Sequence, residues 1–451
     1  MWLRFSSAVL MVLALVVGFA AVKAAPPKRN ADPVLVYTST VHCEQLAWLT
    51  GEERFPSGAK LMLRSGNTSR QLVPAFFASA DPNISFDGNK IIFAGKRSSS
   101  DPWQIWEMPL PSGEPKQIIS CEGDCVRPLY LPEDRIVYAH KVGGRFQLEA
   151  APMVGGDPVR LTSIPGNALA TDVLHDGRIL FEASFPLGDG STPEMYTVYP
   201  DGSGVESYRC DHGHARHSGK QMASGDVVFI EDGRVGRFTS ALAHEVEVKA
   251  PAGEFAADIV ELSDGIRVAS WRANASAPLI LVEWSKAANA TKPLVAENGL
   301  DLVEPQIVNA RPTPNRFPSA LHNWDGANLL CLNAYTSKLK IEAGVVDSVK
   351  LYTLSEGKPL LLGSAHVEAD GSFFLHVPSD QPVQIQLLDK AGNTIQREHG
   401  WFWMRRGEQR FCVGCHAGPE RSPENAIPQV LVKSTDAADM TTTVSAQRGG
   451  H

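Results

Sequence analysis

One phrase recurs along much of the chain and limits the fold more than any other feature: a loop with an acidic residue or glycine, then a short apolar run. It reads Ser85-Phe86-Asp87-Gly88 into Ile91-Ile92-Phe93, Leu131-Pro132-Glu133-Asp134 into Ile136-Val137-Tyr138, and Leu174-His175-Asp176-Gly177 into Ile179-Leu180-Phe181. It returns as Met222-Ala223-Ser224-Gly225 into Val227-Val228-Phe229 and Leu262-Ser263-Asp264-Gly265 into Arg267-Val268-Ala269. The spacing, roughly 40 to 48 residues, is that of a propeller blade. A second phrase follows: Trp103-Gln104-Ile105-Trp106-Glu107-Met108 before Pro111-Ser112-Gly113, Phe146-Gln147-Leu148-Glu149-Ala150 before Val154-Gly155-Gly156, and Met195-Tyr196-Thr197-Val198 before Asp201-Gly202-Ser203-Gly204. Each pair reads as two antiparallel strands forming the inner half of a four-stranded blade. With an irregular first blade from residue 33, about six blades fit before residue 310. One blade cannot bury both faces, whereas a closed ring buries each face against a neighbour and removes sheet edges.

The Ser-x-Asp-Gly turns and the Gln-Ile-Trp-x-Met strand resemble TolB-type propeller repeats, so the expected fold class is all-β with a TolB-like propeller over residues 33–310. A proline-rich stretch (Pro305, Pro312, Pro314, Pro318) leads out of it, giving a linker over 311–327. Short alternating runs follow at Asn328–Tyr335, Val349–Leu354, Ser372–Pro378 and Val383–Asp389, with a hairpin signal at Glu368-Ala369-Asp370-Gly371. They predict a small antiparallel β-sandwich-like domain over 328–430, and residues 431–451 read as a disordered tail.

The N-terminus has a basic Arg4, an apolar stretch from Ser7 to Val22, and Val22 and Ala24 before a cut after Ala24. This order reads as a secretory signal peptide over 1–24, so the expected location is periplasmic or otherwise exported, with no membrane insertion after cleavage. A net charge of −8 with no basic stripe excludes a nucleic-acid partner. Of seven cysteines, Cys412 and Cys415 belong to a motif of their own. Cys121 and Cys125, flanking Glu-Gly-Asp, are spaced for a small-loop disulfide; Cys43, Cys210 and Cys331 leave an odd thiol.

That motif, Cys412-Val413-Gly414-Cys415-His416, is the strongest chemical signal. Two thiols three residues apart can each add to a vinyl group of a porphyrin, and the next imidazole then binds the iron from below. Half of a zinc knuckle is the rival, but it needs a second pair of ligands and none follows in sequence. The expectation is one covalent haem c held by Cys412, Cys415 and His416, with His416 on the iron. Trp403, in Trp401-Phe402-Trp403-Met404, can cover a porphyrin face, and Arg405, Arg406 and Arg410 can pair with propionates; core packing and a solvated edge are the plainer uses. Met404 and His399 are the leading candidates for a distal ligand, with His366 and His376 behind them. Cys210-Asp211-His212-Gly213-His214-Ala215-Arg216-His217 gathers three imidazoles, so His212, His214 and His217 are candidates for a second metal ion or a distal ligand, or for a polar loop between blades.

The order of propeller, proline-rich exit, Asp370-Gly371-Ser372-Phe373-Phe374-Leu375-His376-Val377-Pro378, Gln386-Leu387-Leu388-Asp389-Lys390-Ala391-Gly392, Trp401-Phe402-Trp403-Met404-Arg405-Arg406 and the haem motif resembles the hydrazine synthase α-subunit family. The resemblance implies that family's propeller and haem-bearing middle domain. It also implies a five-coordinate catalytic haem, with a tyrosine four residues beyond the motif histidine on the iron and the histidine freed for zinc. Glu420 occupies that position here, which favours His416 as the proximal ligand. No second Cys-x-x-Cys-His follows, so the chain is not expected to make hydrazine alone.

The leading functional expectation is a monohaem electron-transfer protein that docks a redox protein partner on its propeller. A haem enzyme acting on a small nitrogen or oxygen compound at an open iron is the alternative. A non-catalytic propeller binding module is the third.

Overall fold

The computed structural model describes residues 32–184, 192–209, 213–240, 246–263, 265–398, 400–415, 422 and 425–441. The signal-peptide reading therefore lies outside the described residues. The described residues from Pro33 onward form one compact unit, and among them the strands make eight four-stranded sheets.

Six of the sheets are propeller blades. In blades 2 to 6 the strands follow one another from the axis outward, beginning with Ala78–Ile84, Cys125–Leu131, Asn167–Val173, His217–Gln221 and Glu254–Ser263. Blade 1 takes its axial strand, Asp301–Ile307, from the far end of the propeller and pairs it antiparallel with Leu35–Thr40 near the N-terminus. These six axial strands touch their neighbours in a closed ring. The recurrent apolar phrases thus fall on the second and third strands of each blade, such as Lys90–Lys96 and Gln104–Pro109, and not on the inner half. The axial strands carry less repetition because they share an irregularity. Each of Asp81, Arg127, Ser218, Ala257 and Glu304 adopts a positive φ within a bulge, which interrupts the ladder and re-aims side chains.

Those bulges put charge on the axis, where an excursion over residues 41–59, between Leu35–Thr40 and Lys60–Ser65, meets it. Arg54, 1% exposed, pairs with Asp81 at 3.2 Å and with Glu304. Thr38 donates to Glu304 at 2.6 Å, and the amide of Arg127 donates to Asp81 at 2.9 Å. Burial opposes the charge of Glu304, but Arg54 and Arg127 outweigh it and hold the carboxyl well below its ordinary range. Trp48 and Phe55 of the excursion pack with Trp103 and Phe146 of blades 2 and 3. The Leu49 carbonyl accepts hydrogen bonds from Asn167 and Ser184 of blade 4. One short segment therefore ties blades 1 to 4 together over the axis.

The proline-rich exit is a strap across the propeller. Arg311 bonds the carbonyls of Phe86 and Ile84 and lies over the Phe86 ring. Further on, the Asn315 amide bonds the His175 carbonyl, and Phe317 stacks on Tyr199 with ring centroids 3.6 Å apart. This contact explains the glycine of the blade 4 turn. Gly177 has φ +92°, and a Cβ there would lie 2.3 Å from the Asn315 carbonyl oxygen.

The last two sheets form a sandwich. One runs in the order Gln409–Cys412, Ala327–Cys331, Phe373–Val377, Ala438–Asp439; the other runs Lys358–His366, Ser348–Ser355, Val383–Leu388, Thr394–Arg397. Alternating burial along Ala327–Cys331, Phe373–Val377 and Ser348–Ser355 turns one face of each sheet into a shared core containing Leu329, Leu375, Val349 and Leu351. Two features correct the sequence reading. Both edge pairings of the first sheet are parallel, so the domain is not wholly antiparallel. The expected tail is ordered as far as residue 441: Gln429–Lys433 is a helical turn, Ala438–Asp439 pairs with Phe373–Val377, and Met440 is buried. A buried methionine at the end of a polar stretch is enough to anchor it.

Candidate functional site

The motif cysteines begin at the end of an edge strand. Gln409–Cys412 pairs in parallel with Ala327–Cys331, setting Cys412 opposite Cys331. Paired residues share a face of a sheet, so these two thiols point into the sandwich core. Cys331 is 2% exposed, while Cys412 and Cys415 are half-buried and pack against the same apolar cluster. Burial pushes all three thiols above their ordinary range; for Cys331 the neighbouring Cys415 and Cys412 add to the effect. The turn between the motif cysteines depends on Gly414, where a Cβ would lie 2.0 Å from the Thr336 carbonyl oxygen and 2.7 Å from that of Asn333. Only a residue without a side chain lets the motif come this close to the 333–336 loop. Tyr335, in that loop, also packs against the cluster, and its buried hydroxyl has no hydrogen-bond partner among the described residues. His416 and His399 lie outside those residues.

The aromatic and basic residues ahead of the motif make contacts within the protein. Trp403, expected at a porphyrin, is 1% exposed in the seam between sandwich and propeller. It packs against Phe181 of blade 4 and donates its indole N–H to the Gly202 carbonyl at 3.2 Å. Arg405 is likewise a seam residue, donating to the Arg160 carbonyl at 2.9 Å and pairing with Asp380 at 2.6 Å. Glu408 joins them by accepting from the amides of Gly204 and Arg405 and from Arg410. Arg406 is exposed and bonds Asp325 and the Trp324 carbonyl. A run of aromatic and basic residues reads the same whether it faces a cofactor or another part of the chain, and here the propeller takes Trp403 and Arg405.

Among the ligand candidates, Met404 is fully buried in the cluster that the motif thiols pack against. His376 occupies an outward position in the alternation of Phe373–Val377 and bonds Asn328 at 2.8 Å, so it faces away from the thiols. His366 is exposed. Of the candidate metal cluster His212, His214 and His217, the first lies outside the described residues and the other two line different hollows. His214 pairs with Glu231 at 2.9 Å and lines a crevice with Glu194 and Arg209. His217 bonds Ser218 at 3.1 Å and lines a separate hollow with His42, Cys43 and Asp232. His217 opens the axial strand His217–Gln221, whose register shifts between His217 and Lys220.

Cys331 and Tyr335 escaped the sequence reading. A parallel pairing between strands some eighty positions apart leaves no local trace, and nothing in Asn333-Ala334-Tyr335 marks the tyrosine.

These features define a class: a six-bladed propeller fused through a buried seam to a β-sandwich that carries the Cys412 and Cys415 pair at its edge. Residues 336–417 match the family model of the hydrazine synthase alpha subunit middle domain. A curated relative, hydrazine synthase subunit alpha of Kuenenia stuttgartiensis, is 38% identical over 61 residues, which is 14% of this chain and 8% of that protein's length. The solved Kuenenia stuttgartiensis hydrazine synthase has a chain sharing this fold with a TM-score of 0.76 at 15% identity, covering 89% of this chain and 71% of that one. TolB from Acinetobacter baumannii aligns over 60% of this chain and 66% of its own at 16% identity, with a TM-score of 0.46. The chain thus resembles the hydrazine synthase α-subunit family in sequence over the motif-bearing sandwich and in fold over most of its length.

Proposed function

We propose that the protein is an exported monohaem c-type cytochrome that passes single electrons to a redox protein docked on its propeller. The observation that supports this reading most is the pair of half-buried thiols of Cys412 and Cys415, held against an apolar cluster at a sheet edge by the turn at Gly414. Their surroundings suit a porphyrin, whose apolar faces need cover and whose edge needs an opening. The Tyr335 hydroxyl, buried without a partner among the described residues, is an orphaned polar group of the kind a bound ligand satisfies. Cys412 and Cys415 would hold the haem by thioether bonds, with His416 as the ligand to its iron. Bound there, the haem supplies one-electron exchange at a potential that apolar cover and the axial ligands tune. Met404, buried in the cluster that the motif thiols pack against, would be a candidate second protein ligand to the iron.

The hydroxyl of Tyr335 also favours a second reading, a haem enzyme whose iron keeps an open position for a small nitrogen or oxygen compound. A buried hydroxyl beside an apolar cluster can orient such a molecule by a hydrogen bond.

The test is expression in a host with the cytochrome maturation machinery, followed by haem staining on a denaturing gel and absorption spectra in both redox states. Haem that survives denaturation in the parent and is lost from the Cys412→Ala, Cys415→Ala double variant supports the assignment; unstained parent protein overturns it. Carbon monoxide added to the reduced protein separates the two readings. An unchanged spectrum favours electron transfer, and a shifted one favours the open site.

A further inference from the structure

Blade 3 carries a second constellation that neither the motif nor the seam uses. Cys121 and Cys125 form a disulfide across a three-residue loop. His140 is the antiparallel partner of Cys125 on the next strand. The two sulfurs and one imidazole nitrogen all lie within 4.8 Å of one another. His140 Nδ1 is 3.0 Å from Glu149 Oε1, whose other carboxylate oxygen accepts from the Tyr138 hydroxyl at 3.0 Å. This fixes the imidazole from behind and leaves Nε2 as its free donor atom. A carboxylate on the far nitrogen is the usual support of a metal-binding histidine, since it sets the tautomer and raises basicity.

The loop is braced independently of its disulfide. Gln104 accepts from the Cys121 amide at 2.7 Å and donates to the carbonyls of Cys121 and Gly123 at 3.2 Å. Asp124 accepts from the Trp103 amide at 3.0 Å, and its carbonyl accepts from the Lys141 amide. Breaking the sulfur–sulfur bond therefore leaves both cysteines where they are. A side-chain rotation is enough to part the sulfurs to the roughly 3.7 Å edge of a tetrahedral thiolate site.

We propose that Cys121, Cys125 and His140 form a redox-gated site for a divalent transition cation of zinc type. In the oxidised protein the sulfurs bond each other and the site is closed. A dithiol reductant exchanges with the disulfide, leaving as its own disulfide and giving two cysteine thiols. The cation then displaces one proton from each thiol and takes two thiolates and the neutral Nε2. Three protein ligands leave a fourth position for water. Cys121 and His140 are half-buried, so the ion has an approach from solvent.

The test uses the full chain, anaerobically reduced with a dithiol and freed of it, against the untreated protein. Cobalt(II) is the spectroscopic probe and zinc the competitor. The reduced parent should bind one zinc equivalent with release of two protons, and cobalt should give the intense bands of a tetrahedral thiolate complex. The untreated protein should show neither. Because Cys43, Cys331 and the motif thiols are also metal-binding groups, the Cys121→Ser, Cys125→Ser variant decides where the ion sits: it should lose the site. Glu149→Gln, which leaves every ligand in place, should weaken zinc binding 10- to 100-fold. Equal uptake by the reduced parent and the double-serine variant, or equal uptake by reduced and untreated parent, overturns the proposal.

Discussion

Replacing Trp403 by alanine separates two roles that the sequence alone leaves open. The side chain is 1% exposed, wedged against Phe181 and bonded to the Gly202 carbonyl. A buried tryptophan removes roughly 200 Å² from water, worth about 5 kcal/mol at 25 cal/mol per Å². Alanine retains a small part of this and the cavity partly collapses, which gives a loss of about 3–5 kcal/mol. The abandoned Gly202 carbonyl adds about 1 kcal/mol if water cannot reach it. Guanidinium unfolding of the purified protein, followed by far-ultraviolet circular dichroism, should show that loss, with the sandwich transition separating from that of the propeller as the seam weakens. Trp403→Phe keeps most of the packing and should lose only about 1–2 kcal/mol. Under the proposed haem attachment, the spectrum and reduction potential should be unchanged in both. A stability loss below about 1 kcal/mol in the alanine variant, together with a shifted haem potential, would refute the seam and restore the tryptophan to the cofactor.

Three further perturbations probe the scaffold. Arg54→Met strips the axial carboxylates Glu304 and Asp81 of a buried partner and should lower stability by about 3–5 kcal/mol in urea melts; an unchanged midpoint would mean the axial ion cluster is not formed. Gly177→Ala strains a turn at φ +92° and drives a methyl into the strap, so limited proteolysis should cut within residues 311–319 faster than in the parent. His217 is held down to about 4 by burial, aided by the positive charges of Arg127 and Arg54. The unfolded chain thus binds the extra proton between about pH 6.5 and pH 4, and stability should fall as pH drops through that window, by at most about 3 kcal/mol. His217→Gln should flatten the slope, and an undiminished slope would assign it to other groups.

The propeller was legible because its middle strands repeat a period-two apolar pattern next to acidic and glycine turns, and the count of six followed from their spacing. The axial strands were not, since bulges at Asp81, Arg127 and Glu304 break that alternation and place charge where apolar residues are expected. Ring closure by Asp301–Ile307 onto Leu35–Thr40 is likewise a long-range pairing without a local signature. At the candidate site, the spacing of Cys412, Cys415 and His416 is a local chemical code and could be read directly. Cys331, Tyr335 and the seam role of Trp403 depend on which strands lie side by side, which composition does not record. In the histidine-rich run, closeness in sequence left a metal site and a polar loop between blades equally open; His214 and His217 line different hollows, and His212 lies outside the described residues.

The intact mass of the purified protein, made in cells able to export it and attach haem, tests the cytochrome assignment most directly. The account requires a polypeptide shortened at its N-terminus and heavier by one haem, with the added mass retained through acid and organic solvent. A mass equal to the processed polypeptide alone, from cells that load a control cytochrome, would contradict it.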